Sequence, residues 1–301
     1  MKTGQIDSSA GRASRLLNIM RESVSRFLAD RCPMMGASIG FYSAFSLAPT
    51  LLIVLAIVGW FFGAEVGKGR FFGQVKAIMG ADAASAMQSI VEHAHRAQGG
   101  GIAAALSGVL LIVGASATFS SLNTALDVVF RAKPTKGIAG VALLVRTRVL
   151  SFALLMGLGF LLVVSLVLDA AVQSLGSAIF GNSTLSIVAA VVQSVLGLTV
   201  LTVGLSALIK WLPDTRVEIR HAAAGGLVAA VLFTIGRHLF GLYLVHAGTA
   251  GAFGAAGSLA VLMMWLYFCA AVFLFGAEVA AAAEDKGRAT EARSGPARLK
   301  Q

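Results

Sequence analysis

Charge is scarce in this chain. Asp, Glu, Lys and Arg make up only 13 % of its 301 residues, about half of the share that coats a soluble globular domain. Cysteine is scarcer, with Cys32 and Cys269 alone, so a disulfide scaffold is excluded. Also missing are a His-Glu-x-x-His pair, a Walker phosphate loop and a Cys-x-x-Cys pair. Neither a zinc hydrolase nor a nucleotide-driven pump is legible without them. What abounds is apolar: 57 % of residues are hydrophobic and the mean hydropathy is +0.84. Disorder over most of the chain is excluded, because it needs low hydrophobicity. The class that remains is an all-α polytopic membrane protein.

A helix needs about 20 mostly apolar residues to cross the hydrocarbon. Six stretches qualify, near Met34–Gly63, Ile102–Leu122, Val149–Val172, Ser186–Ile209, Ala222–Val245 and Phe253–Ala282. They contain three formally charged residues, Asp169, Arg237 and Glu278. The runs are continuously apolar rather than alternating, which excludes a strand barrel. The expected organisation is a segment 1–33, a six-helix transmembrane domain 34–283 and a disordered charged tail 284–301.

The net charge of +10 invites a nucleic-acid partner, but its location argues for topology. With the N-terminus inside, nineteen Lys and Arg fall on the cytoplasmic side and four outside. That is the asymmetry of the positive-inside rule. Both termini are expected in the cytoplasm, with no nucleic acid bound. The first apolar run begins at Met34 and is too long for the core of a cleavable signal, so it reads as a retained span.

Before that span, Leu16, Leu17, Met20, Val24, Phe27 and Leu28 recur at helical spacing, with Arg15, Arg21 and Arg26 on other faces. Two readings stand level: an amphipathic helix on an anionic lipid surface, or one packed on the protein's own loops. Cys32-Pro33 marks the expected bend into the span. The segment Ala64–Gly101 between spans one and two is expected outside the cytoplasm and helical over Gln74–Arg96. His93 and His95 follow Glu92 there, but positions two apart on a helix point different ways. They read as surface histidines, and no metal or cofactor is expected.

Polar residues within the spans form stripes. Ser38, Tyr42 and Pro49 share a face, and Pro49 denies the Phe45 carbonyl its donor. A kink is expected there, with Ser46 or a water at the freed carbonyl. Ser116, Ser120, Asn123 and Asp127 form a second stripe, Thr199, Thr202, Ser206 and Lys210 a third, and Tyr267 shares a face with Glu278. Ordinary helix contacts account for many Ser and Thr in membranes. Asn123, Asp127 and Glu278 stand out more, as a cytoplasmic cluster or as interfacial anchors. Arg131 and Lys210 are the bases available to pair with those acids. Arg237 is the deepest charge, about 22 Å from the inner end of its span and about 12 Å from the outer at 1.5 Å per residue. It reads as lining a cavity, with Asp169 as candidate partner and His238 beside it, or as reaching the outer headgroups. Gly225 and Gly226 suggest close helix approach.

These residues resemble a known family. Gly36-Ala37-Ser38-Ile39-Gly40-Phe41-Tyr42-Ser43-Ala44-Phe45-Ser46-Leu47-Ala48-Pro49 is similar to the first-span motif of the YihY / virulence factor BrkB family. Asn123-Thr124-Ala125-Leu126-Asp127 resembles its second-span end, and Leu212-Pro213-Asp214 with Gly225-Gly226 its fourth loop. Tyr243, Gly254, Trp265-Leu266-Tyr267 and Gly276-Ala277-Glu278 resemble its terminal signature. The similarity spans about Asp30–Ala283, and the order and spacing of its pieces carry it. It implies a six-span bacterial inner-membrane protein with roles in envelope integrity and in export of lipid or other amphiphiles. An older label for the family, ribonuclease BN, is regarded as mistaken, and this sequence holds no metal-carboxylate nuclease cluster. Arg237 and His238 lie outside the motif pieces.

The leading expectation is a non-enzymatic transporter or flippase for an anionic amphiphile, working without ATP among membrane lipids. Its cavity set is Arg237, His238, Asp169, Tyr42, Pro49 and Tyr243. Its cytoplasmic set is Asn123, Asp127, Arg131, Lys210, Tyr267 and Glu278, expected to converge with one acid on a base. The alternative is a scaffold that supports envelope assembly; a membrane nuclease ranks last. Oligomeric state is not legible.

Overall fold

The protein is described by a computed structural model covering residues 4–62, 68–69, 72–73, 84–85, 87–89, 91–92, 101–132, 185–247 and 249–294. The third expected span, Asp169 and the histidines at 93 and 95 lie outside the described residues. So do residues 295–301.

Among the described residues every regular element is helical. The long helices are α1 (Gly4–Ala29), α2 (Cys32–Phe62), α3 (Gly101–Val129), α4 (Leu185–Trp211), α5 (Ile219–Ala247) and α6 (Thr249–Ser294). Among the described residues, three helical stretches are long and apolar enough to cross a membrane: Ser194–Trp211, Ile219–Tyr243 and Leu259–Arg288. Val195 and Val203 on α4 stay more than half exposed, the arrangement expected where the solvent is lipid rather than water. α2 is 31 residues long, carries no charged residue and runs unbroken through Pro49. The Ser46 hydroxyl donates to the Ser43 carbonyl at 3.0 Å, not to the Phe45 carbonyl expected of it.

Two helix ends have a non-glycine residue in the left-handed region, Arg31 (φ 55°) and Arg131 (φ 51°). At the end of α3 the Ala132 amide reaches back to the Asp127 carbonyl (2.8 Å) and the Arg131 amide to Val128 (3.1 Å). This is the Schellman closure, here with arginine where glycine is usual. At the end of α1 the bend falls on Asp30 and Arg31, and Pro33 sits in the first turn of α2, where a missing N–H costs nothing.

The chain divides into two compact units. The first comprises Met1–Arg31, Asn123–Leu232 and Phe273–Gln301. Its core is alanine-rich, with Ala125, Ala222, Ala229, Ala230, Ala277, Ala280 and Ala282 buried beside Leu126, Ile209, Leu212 and Leu274. Small residues let backbones meet. A Cβ on Gly276 would lie 2.6 Å from the Gly225 carbonyl oxygen, and one on Gly225 would strike the Gly276 carbonyl. One on Gly226 would meet Ser206 of α4, whose backbone nitrogen is 2.8 Å away. The expected close approach at Gly225 and Gly226 is therefore present, and its partners are Gly276 and Ser206.

The second unit comprises Cys32–Leu122 and Phe233–Val272. Its core is aromatic. Trp265 meets Phe240 at 4.9 Å, Phe233 at 5.7 Å and Phe268 at 5.7 Å between ring centroids. Leu51, Val261 and Leu262 join them, as do Met87 and Val91. The described residues of segment 64–101 that carry Met87 and Val91 are helical, as their spacing predicts. Gly36 and Gly40, one turn apart on α2, face the α6 backbone, with the Cβ position of Gly40 3.1 Å from the Tyr267 nitrogen. That is the small-xxx-small contact of membrane helices.

The alanine-glycine crossing yields a prediction. Gly276→Val forces the α5 and α6 backbones apart, and overpacking of this kind costs about 1–3 kcal/mol. Gly197, with nothing within 4 Å of its Cβ position, is the control. Thermal unfolding in detergent is expected to show a lower midpoint for Gly276→Val and none for Gly197→Ala.

Candidate functional site

The polar residues at the end of α3 meet a loop. Asn123 Nδ2 donates to the Leu212 carbonyl at 2.7 Å. The Asp214 backbone amide donates to Asp127 Oδ1 at 2.9 Å. Both contacts follow from local structure. Asn123 and Asp127 are four apart and so share a helix face. The α4–α5 connection, residues 212–218, is tied to the helices by backbone bonds at its ends, the Leu212 amide to the Leu208 carbonyl and the Glu218 carbonyl to the His221 and Ala222 amides, while the Leu212 carbonyl lies past the last turn of α4. Leu212 is buried, so its carbonyl must be satisfied within the protein. Two side chains of one helix thus clasp the turn between two others, and they join the Asn-x-x-x-Asp and Leu-Pro-Asp motifs physically.

The acid expected to pair with a base is not Asp127 among the described residues, where its partner is a backbone amide. Arg131 is exposed at the α3 cap, and the Lys210 ammonium stands 5.5 Å over the Trp211 ring. Burial pushes the Asp127 carboxyl above its usual value, the Asp214 charge adds to this, and the Asp214 amide opposes it.

Glu278 is fully buried on α6 in the same unit. Tyr267 is 37 % exposed and belongs to the second unit. Asn123, Asp127, Arg131, Lys210 and Glu278 belong to the first unit and Tyr267 to the second. Asn123 and Asp127 form the clasp, Arg131 the cap, Lys210 a cation–π pair, Glu278 a sealed core position and Tyr267 an α2 contact.

The hydroxyls of the third stripe are absorbed locally. Thr199 donates to Val195, Thr202 to Leu198 and Ser206 to Thr202, at 2.6–2.7 Å, and Thr118, outside the stripes, donates to Gly114 at 2.9 Å. Ser38 donates to Met35 at 2.8 Å. Gly36-Ala37-Ser38-Ile39-Gly40 matches the Gly-x-Ser-x-Gly spacing of a hydrolase elbow. It lies inside a continuous helix, so no exposed strand-to-helix turn presents the hydroxyl as a nucleophile.

Arg237 sits about two-thirds of the way along α5 in the second unit, half-buried. Its Nε is shut from solvent and has no hydrogen-bond partner among the described residues. His238 beside it is exposed, with Nδ1 2.7 Å from the Thr234 carbonyl, a bond that uses the Nδ1–H tautomer. Tyr42 and Tyr243 are exposed, and Tyr42 meets Phe41 edge-on at 5.8 Å. Among the described members of the cavity set, Arg237 alone combines depth with a buried donor that lacks a hydrogen-bond partner.

A charged chain went unread in the sequence. Lys286 bonds Glu22 at 2.9 Å, Glu22 bonds Arg26 at 2.6 Å and Arg26 bonds Asp285 at 2.7 Å. It ties α1 to α6, and Phe27 adds an edge-on contact with Phe275 at 5.8 Å. The expected disordered tail after Ala283 is instead helix through Ser294. The i, i+4 pair Glu284–Arg288 was the available signal. Close by, a cavity of about 190 Å³ is lined by Phe130, Arg131, Thr215, Glu284, Asp285 and Arg288, among others. Among the described residues no group of His, Cys, Asp and Glu is arranged to hold a metal ion.

Long apolar helices with glycine crossings define an integral membrane protein of the all-helical class. Comparison with known proteins makes this specific. The family model of virulence factor BrkB matches residues 23–300, and the chain belongs to that family. It is similar to the UPF0761 membrane protein of Azotobacter vinelandii, 28 % identical over 270 residues and covering 87 % of this chain. Those of Methylibium petroleiphilum (27 % identical, 88 % of this chain) and Aromatoleum aromaticum (29 % identical, 87 %) are similar as well. The chain spans 62 % of the length of each of these relatives. No solved structure matches.

Two outcomes test the clasp and the charged chain. Asn123→Ala orphans a buried carbonyl and is expected to lower stability by about 1–3 kcal/mol. Asp127→Asn keeps an acceptor for the Asp214 amide and is expected to hold stability at neutral pH, whereas Asp127→Ala lowers it; urea or thermal unfolding reads both. For Glu22, the Lys286 hydrogen bond, with Arg26 acting in the same sense, holds the carboxyl below its usual 4.5. Its contribution is complete above that value and lost as pH falls through the depressed one. Hydrogen exchange in α1 is expected to accelerate over that acidic window in the native protein and to lose the step in Glu22→Gln.

Proposed function

We propose that the chain is a six-span bacterial inner-membrane protein with both termini in the cytoplasm, which binds an anionic amphiphile and moves it across the bilayer without ATP. The single observation that carries this reading is Arg237. A guanidinium placed mid-helix in an apolar span costs at least about 2.5–3.5 kcal/mol on insertion scales. It is retained with a buried Nε that no described residue uses. Arginine offers a planar donor fork that matches phosphate and carboxylate, so an anionic headgroup is the complement the site lacks. The charge asymmetry of the loops supports the topology. The BrkB family membership supports the bacterial membrane setting.

A scaffold role is the second reading, and one observation favours it. Thr199, Thr202 and Ser206 of the α4 stripe bond carbonyls of their own helix, so that stripe supplies no run of free hydroxyls along which a headgroup would slide. The experiment that separates the two is lipid movement in proteoliposomes, using fluorescent anionic and zwitterionic lipids and a membrane-impermeant quencher. The expected result is faster redistribution of the anionic lipid, abolished in Arg237→Leu at an unchanged unfolding midpoint. Native protein no faster than empty vesicles supports the scaffold. A variant that merely unfolds makes Arg237 an anchor.

A further inference from the structure

We infer that α1 is a lipid-docking strap whose apolar stripe, Leu17, Met20, Val24 and Leu28, lies in an anionic membrane surface. The roll of this helix is fixed by polar contacts. Glu22 and Arg26 face α6 through the ion pairs to Lys286 and Asp285, Ser23 is fully buried, and Phe27 stacks edge-on against Phe275. The apolar stripe falls on roughly the opposite side of the helix at 100° per residue. Leu17 is 70 % exposed, Leu28 64 %, Val24 49 % and Met20 36 %.

In water this arrangement is inverted. A helix presenting charge to its protein and leucine to solvent forfeits the burial that normally orients it. Each apolar side chain left out forgoes the gain of burial. Surface ion pairs are individually weak, too weak to hold the roll against four exposed apolar side chains. The orientation is coherent when the stripe meets an apolar medium. That medium is a lipid surface because the same chain belongs to a membrane family and holds spans that cross one.

The charge around the stripe selects the lipid. Arg21 and Arg31 are exposed at its flanks, and Arg131, Arg216 and Arg220 of the same unit are exposed as well, against exposed Asp214 and Glu218. On α6, Glu284 and Asp285 are engaged with Arg288 and Arg26. Exposed Asn18, Arg21 and Ser25 lie along one side of the stripe and supply the face turned to water. An anionic headgroup layer suits this rim. The inference rests on the proposed bilayer placement only for which side of the membrane α1 occupies.

The test places an environment-sensitive fluorophore at Val24→Cys and, separately, at Ser25→Cys in the full chain. Cys32 is fully buried, and Cys269 is replaced by Ser in both. The protein is reconstituted in vesicles of phosphatidylcholine with or without phosphatidylglycerol, and each set carries lipids spin-labelled near the headgroup. The expected result is a blue shift and a roughly twofold stronger quenching at Val24 than at Ser25, at the shallow depth of an interfacial helix. Quenching is expected to rise with phosphatidylglycerol. Equal quenching at both positions overturns the proposal. So does Val24 cross-linking to Val24 of a second copy without quenching, which assigns the stripe to a dimer. The readout does not involve lipid movement, so a failed transport assay leaves it standing.

Discussion

The contact on which the first unit depends is backbone against backbone, Gly225 on Gly276. Neither position has room for a methyl group, and Ala229 and Ala280 crowd the same crossing. In hydrocarbon there is no hydrophobic gain in pressing helices together, so close approach and dispersion must supply association. The glycines make that approach available. Glu278, two residues beyond Gly276 on α6, is fully buried as well. Past Glu278, α6 continues as the helix that holds α1 through Asp285 and Lys286. The helix that makes the crossing is therefore also the one that carries the external strap.

The use of polar groups follows the same economy. Lipid offers no hydrogen bonds, so each polar group is satisfied within the protein or serves a ligand. Asn123 and Asp127 hold the turn between α4 and α5. Ser38, Thr118, Thr199, Thr202 and Ser206 return to nearby carbonyls. Arg237 keeps a buried Nε with no hydrogen-bond partner among the described residues, as His221 Nδ1 does near the start of the same helix. The family motifs thus describe a frame, and the residue proposed to contact substrate lies outside them.

Helix class, the positions of five of the long apolar runs and the glycine approach were legible, because continuous hydropathy and small-residue spacing depend on local sequence. The Asn123–Leu212 clasp was not, because a side chain seeking a backbone carbonyl 89 positions away leaves no periodicity. Stripe membership alone suggested a gate, since helical spacing reports a shared face and says nothing of what that face meets. The roll of α1 was open for a related reason. Its apolar and charged faces were both visible, but Lys286 and Asp285 in an apparent tail decide which of them docks. Alanine-rich Ala280–Ala283 followed by charge resembled a helix end, whereas alanine and i, i+4 ion pairs carry the helix onward.

The central claim is that Arg237 holds an anionic amphiphile while the clasp and the glycine crossing only hold the fold. Native mass spectrometry of protein extracted from mixed anionic and zwitterionic bilayers addresses it most directly. The account predicts that the native chain retains an anionic lipid or amphiphile through delipidation and that Arg237→Leu loses it. Asn123→Ala, though less stable, is expected to keep it. Equal retention by the native chain and Arg237→Leu would contradict the account.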